Sequence, residues 1–213
     1  MESLTVLPLR WHSFFVPLMT TEALVVHIGE KEEVERGRAF AAQWTNVVPR
    51  SAFAAVEMDL SKRQIGFAPV QAMFRAASKD LGVDFSQIVL IGSGYAAVRA
   101  LDLVLCNALR DVHVIAVDLP PSGVVIGVTP ARGAFRFVQH RRFDDPDELH
   151  FGHTAHLLRE ACLDVRTIIL PDEPDPTNRA IGTFLVELVA RASRYQPTTR
   201  REPGTSPQPE DRA

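Results

Sequence analysis

Apolar residues along this chain fall into short β-branched runs that alternate with stretches of three-to-four spacing. Segments 23–28 (ALVVHI), 53–58, 88–91, 112–117, 135–139 and 165–170 read as buried strands. Between them, 31–44, 69–81, 96–109, 147–163 and 179–192 carry apolar positions on one helical face. Val34, Phe40, Ala41 and Trp44 line one such face; Val70, Met73, Phe74 and Ala77 line another, which Gly82 stops as a C-cap. Segment 5–15 adds one or two edge strands, because Pro8 and Pro17 suit an edge better than a centre. Strands alternating with amphipathic helices predict an α/β three-layer sandwich. Its sheet is mostly parallel and doubly wound, with helices on both faces.

Length and composition narrow the class. The 213 residues suit one core, so 1–194 reads as a single domain. From Tyr195 the chain turns to Pro, Thr, Arg, Glu and Ser without apolar periodicity, which predicts a disordered tail over 195–213. A net charge of -3 gives no electrostatic reason to expect nucleic acid or an anionic membrane as partner. Arg10, His12 and Pro17 interrupt the N-terminal apolar run, and no stretch of uncharged apolar residues is long enough to span a bilayer. A cytoplasmic protein is expected. Cys106 and Cys162 lie in apolar helical patterns and are expected to be small buried hydrophobes in a reducing compartment.

The chemistry concentrates at 88–105, IVLIGSGYAAVRALDLVL, where an apolar run meets two glycines and a helix follows. Gly92-Ser93-Gly94-Tyr95-Ala96-Ala97 satisfies a dinucleotide-binding fingerprint, with Ala97 at its last position and Asp118 at the end of the next strand for a ribose. Two strand-helix units precede the motif, however, whereas such a fingerprint opens its unit. Read instead as a nucleophile elbow, the same turn follows the third strong strand and its own helix runs beneath it.

The run PVQAMFRAASKDLGVDFSQIVLIGSGYAA resembles the α/β-hydrolase superfamily, in particular its phospholipase/carboxylesterase-like branch. The resemblance extends over the layout from Ala23 to Ala192. Gly92 and Ala96 fit the small flanks of the elbow, which puts Gly94 at the nucleophile position. Glycine has no oxygen with which to attack. In FRFVQHRRFDDPDELH, Asp145 before Pro146 matches the acid position, with Asp144 as the alternative. Either could equally be capping a helix. No histidine follows the last strand in VRTIILPDEPDPTNRAIGTF, where Asp175 falls near the expected place. In VVHIGEKEE, Ile28 separates His27 from Gly29, so His27 is expected to pack or hydrogen-bond at a strand end.

His150, His153 and His156 recur every third residue beside Asp144, Asp145 and Glu148. At about 100° per residue the three rings fan apart, so surface histidines are expected rather than a metal site. Three functions remain open. The first is a non-catalytic hydrolase-fold protein holding a small apolar ligand or a protein partner around Gly29, Gly92, Ser93, Gly94, Tyr95 and Asp145, without a cofactor. The resemblance implies that such a chain forms a homodimer or a complex with an active relative. The second is an esterase with displaced residues, Ser93 with His153 or His150 and Asp145. The third is a nucleotide binder using Gly92, Gly94, Ala97 and Asp118.

Overall fold

The architecture is visible in a computed structural model that describes residues 9–60, 67–106, 108–120, 131–141, 148–171 and 175–194, excepting the side chains of 148–153 and 175. Among the described residues, seven strands form one sheet: β1 (Arg10–Phe15), β2 (Ala23–Gly29), β3 (Ser51–Glu57), β4 (Ile88–Ser93), β5 (His113–Val117), β6 (Ala134–His140) and β7 (Asp164–Leu170). Their order is β1-β3-β2-β4-β5-β6-β7; β1 is antiparallel to β3, and every other pairing is parallel. The helices are α1 (Lys31–Trp44), α2 (Phe67–Leu81), α3 (Tyr95–Leu105), α4 (Glu148–Glu160) and α5 (Asp175–Arg194).

Alternation along the strands sorts side chains to two cores. Leu24, Val26, Ile28, Leu90, Phe135 and Phe137 face α2, α3 and α4, where Phe74, Leu101 and Leu158 meet them. Val25, Val89, Ile91, Ile115 and Val138 face α1 and α5, against Phe40, Ile181, Leu185 and Leu188. Helices on both faces leave the central strands no wet side, which is why β2, β4 and β5 read as unbroken apolar runs. The predicted three-layer sandwich is therefore present. After β3 the chain crosses to the far side of β2, so the order reverses between β2 and β4. Ligands of such sheets bind at that reversal, beyond the carboxyl ends of the strands.

Two boundaries and one burial expectation need correcting. Of the expected edge segment 5–15, Arg10–Phe15 forms one strand, and 5–8 lie outside the described residues. α3 stops at Leu105 instead of running to 109, and the Leu109 N–H folds back onto the Leu103 carbonyl at 3.0 Å. α5 begins at Asp175, four residues before its expected start, because Pro176 fits a first helical turn, where its missing N–H costs nothing. Both cysteines are exposed, against the expectation of burial. Cys106 lies just beyond the last residue of α3. Cys162 takes the left-handed position closing α4 (φ 60°), its N–H on the Arg159 carbonyl and the Leu163 N–H on the Leu158 carbonyl. Gly82 closes α2 in the same way at φ 67°, as predicted. The proposed tail, 195–213, lies outside the described residues.

One ion cluster holds α5 to the sheet. Arg136 on β6 is wholly buried; its Nη2 donates to Glu187 of α5 at 2.7 Å and its Nη1 to Asp164 of β7 at 3.2 Å. The guanidinium also donates to the carbonyls of Phe135 and Asp164 and lies 5.9 Å from the Phe184 ring centroid. All that fork of donors is spent on fixed acceptors, which is the condition under which a buried charge is tolerated. Replacing Arg136 with Ala is expected to cost about 3 kcal/mol in urea unfolding, at the low end for a broken buried pair. Asp164 and Glu187 are partly exposed and keep Arg191 and Arg166 as partners.

Two buried histidines make the fold acid-sensitive. His27 packs beside Gly37 and 5.1 Å from the Phe40 ring, its Nε2 without a hydrogen-bond partner, and burial pushes its pKa down from 6.5 to about 4. The expectation that His27 packs at the strand is met. His113, whose Nδ1 accepts the Ala134 N–H at 2.9 Å, is likewise pushed down to about 4, chiefly by burial and then by Arg191. The unfolded chain binds these protons near pH 6.5 and the folded chain only near pH 4. Stability is thus complete above pH 6.5 and falls as pH drops towards 4, by about 1.4 kcal/mol per unit for each histidine. Urea unfolding at a series of pH values should show this slope, and His27→Leu should remove about half of it.

Candidate functional site

β4 ends at Ser93 and α3 starts at Tyr95, so Gly94 alone turns the chain from sheet to helix. Gly94 has φ 56° and ψ −125°, a conformation side-chain-bearing residues rarely adopt. Its N–H donates to the Val117 carbonyl at 2.8 Å, and its carbonyl accepts the N–H of Ala97 at 3.1 Å. The turn is therefore tied both to β5 and to the first turn of α3. A Cβ added to Gly94 would meet no atom within 4 Å. At Gly92 a Cβ would lie 2.6 Å from the Ala96 carbonyl oxygen, so Gly92 is what lets α3 pack down on β4. The residue at the elbow is a glycine beneath open space.

The other candidates gather in part. Gly29 ends β2 across the reversal, and a Cβ on it would lie 3.5 Å from the Ala96 Cβ and 2.5 Å from Glu33. Burial raises the pKa of Glu33, and its ion pair with Arg36 opposes that shift. Ser93 is partly exposed at the end of β4, and Tyr95 is 62% exposed. Asp144 and Asp145 lie outside the described residues, as do the side chains of Glu148, His150 and His153. Asp175 is the first residue of α5. His156 is exposed and pairs with Glu160 at 3.1 Å. Among the described residues no cluster of His, Cys, Asp or Glu could hold a metal, and no helix is long and apolar enough to cross a membrane.

A constellation that the sequence reading missed sits one strand further along. Asp118 follows β5 at φ 48°, a strained value for a residue with a side chain. Its N–H donates to the Val138 carbonyl, and its Oδ1 accepts the His140 N–H at 2.9 Å. His140 ends β6; its Nδ1 lies 2.8 Å from Asp118 Oδ2, and its Nε2 lies 2.7 Å from Thr177 Oγ1 on α5. An ionised carboxylate only accepts, so Nδ1 carries the ring proton and donates to Asp118. In the neutral imidazole Nε2 is then left with its lone pair and accepts the Thr177 hydroxyl. The chain of bonds runs Thr177 O–H to His140 to Asp118, in one direction. The Asp118 carboxylate, a ribose-binding candidate in the nucleotide reading, is committed to an imidazole.

Position explains why this escaped notice. Asp118 is 22 residues from His140, and His140 is 37 from Thr177. A signal was nonetheless available: on β6, alternation puts His140 on the same face as Arg136 and Val138, towards α5.

Solved structures share this frame. Esterase PE8 superposes with a TM-score of 0.65 at 14% identity, covering 86% of this chain and 100% of that one. The Bacillus cereus carboxylesterase gives 0.63 at 11% identity, covering 88% and 97%. The fold is that of the α/β-hydrolases. A phospholipase/carboxylesterase from Dyadobacter fermentans matches at 0.65 and 13% identity, over 88% of this chain and 100% of its own. No protein-family model and no curated protein matches the chain. The hydrolase fold thus agrees with the resemblance read from the elbow segment.

The two glycines of the turn should answer differently to substitution. Gly92→Ala forces backbone apart and is expected to cost about 2 kcal/mol or more, as overpacked sites do. Gly94→Ser meets open space and only the strained φ, so about 1–2 kcal/mol is expected. Thermal and urea unfolding of both variants check the order.

Proposed function

We propose that this chain hydrolyses carboxylic esters with His140 as its general base, independently of the elbow residue. The observation that carries this reading is the imidazole of His140 held between the Asp118 carboxylate and a hydroxyl at the carboxyl edge of a hydrolase sheet. A fixed tautomer with a free lone pair on Nε2 is what general-base catalysis needs of a histidine. The superposed structures support the substrate class, since PE8 is an esterase and the B. cereus protein a carboxylesterase. The pairing of Ser93 with His153 or His150 involves side chains outside the described residues, whereas Asp118, His140 and Thr177 stand at distances that suit proton transfer.

A second reading has its own observation. Gly94 at the elbow, with Asp175 near the usual histidine position, supports a protein that binds an ester-like ligand or a partner without cleaving it. The two readings divide on one assay. With p-nitrophenyl acetate and butyrate, hydrolysis is expected, and His140→Gln is expected to lower kcat/KM by about 10²–10⁴-fold, the usual worth of a positioned base. A wild-type rate equal to the buffer rate, together with saturable binding of a non-hydrolysable ketone analogue, would decide for the binding protein.

A further inference from the structure

We infer that Thr177 is the nucleophile of this site and that its hydroxyl carries the acyl group through a covalent intermediate. The inference rests on the ester-hydrolysis reading and adds to it the atom that attacks. Three observations carry it. Thr177 Oγ1 is 2.7 Å from Nε2, the ring atom left to accept when a neutral imidazole donates its Nδ1 proton to Asp118. Thr177 is half-buried, not sealed in the core, at the third position of α5. The hydroxyl is also held in place: α5 is pinned to β6 by Glu187 on Arg136, and β6 bears His140. From 136 to 140 a strand advances about 13 Å, and from 187 back to 177 a helix advances about 15 Å. The two contacts therefore fall at matching heights on antiparallel elements, and the clamp at one end sets the bond at the other.

The step balances without any co-reactant except water. The Thr177 hydroxyl proton passes to His140 Nε2 as Oγ1 attacks the ester carbonyl carbon. The bond from that carbon to the alkoxy oxygen breaks, and the leaving alcohol takes the proton from Nε2. Water then attacks the threonyl ester and yields a proton to Nε2, which returns it to Oγ1 as the carboxylic acid departs. Asp118 touches none of the reacting atoms; it is a positioning residue that fixes the tautomer and favours the imidazolium formed in each half-reaction.

The test combines trapping with substitution on the full chain. Incubation with a fluorophosphonate ester, followed by peptide mass mapping, is expected to place the phosphonyl adduct on Thr177. Thr177→Val, which keeps the shape and loses the hydroxyl, should abolish the adduct and lower kcat with p-nitrophenyl acetate at least 100-fold. Thr177→Ser should restore both. Thr183→Val, an exposed change on the same helix, serves as the folding control and should leave the rate unchanged. Asp118→Asn should shift the pH profile of kcat/KM as well as its height, which a merely structural role would not do. Adduct on Ser93 or any other residue, or a Thr177→Val rate within about threefold of wild type, overturns Thr177 as nucleophile. If Thr177→Val keeps its rate while His140→Gln loses it, water is the attacking species and the ester-hydrolysis reading stands alone. If wild type turns over no ester and takes up no adduct, both fall together.

Discussion

The buried guanidinium of Arg136 is the interaction on which the rest of this architecture leans. It joins β6, β7 and α5 through donors that have nowhere else to go. Burying a charge costs several kcal/mol unless each donor finds an acceptor, so the three elements can sit in only one mutual register. That register decides what happens at the opposite end of β6. Were α5 to slide by one turn, about 5.4 Å, Thr177 would leave His140 altogether. A polar cluster deep between sheet and helix thus governs geometry at the carboxyl end of β6.

Much of the fold was legible in the chain. Runs such as ALVVHI and IVLI could be strands because helices cover both sides, and helices cover both sides because the intervening segments keep one apolar face. The elbow was legible too, since only glycine can stand at 92 against the Ala96 carbonyl and glycine stands again at the turn itself. Helix ends were read less well. Apolar periodicity does not register a left-handed closing residue, so Cys162 looked internal to a helix that ends at Glu160. The Asp-Pro-Thr start of α5 was taken for loop because proline was read as a breaker where it serves as a first-turn residue.

The candidate site divided along the same line. Residues joined by local sequence, Gly92, Ser93, Gly94 and Tyr95, were found together because strand-turn-helix chemistry is local. Asp118, His140 and Thr177 were not, because their meeting depends on two parallel crossovers, β5 to β6 and β6 to β7, and on where α5 begins. His140 lies one residue beyond the strand expected over 135–139, where local sequence offers it no partner. Its partners become visible only when β5 and β6 are laid side by side.

The empty space over Gly94 has a consequence for descent. GGT and GGC, two of the codons for glycine, stand a single nucleotide from those for serine, and the backbone there already holds the turn that a serine elbow requires. The turn at Gly94 is thus a socket open to a side chain, with the His140 imidazole and the Thr177 hydroxyl at the ends of neighbouring elements. A hydroxyl side chain could therefore enter that turn by one nucleotide change without displacing a neighbouring atom.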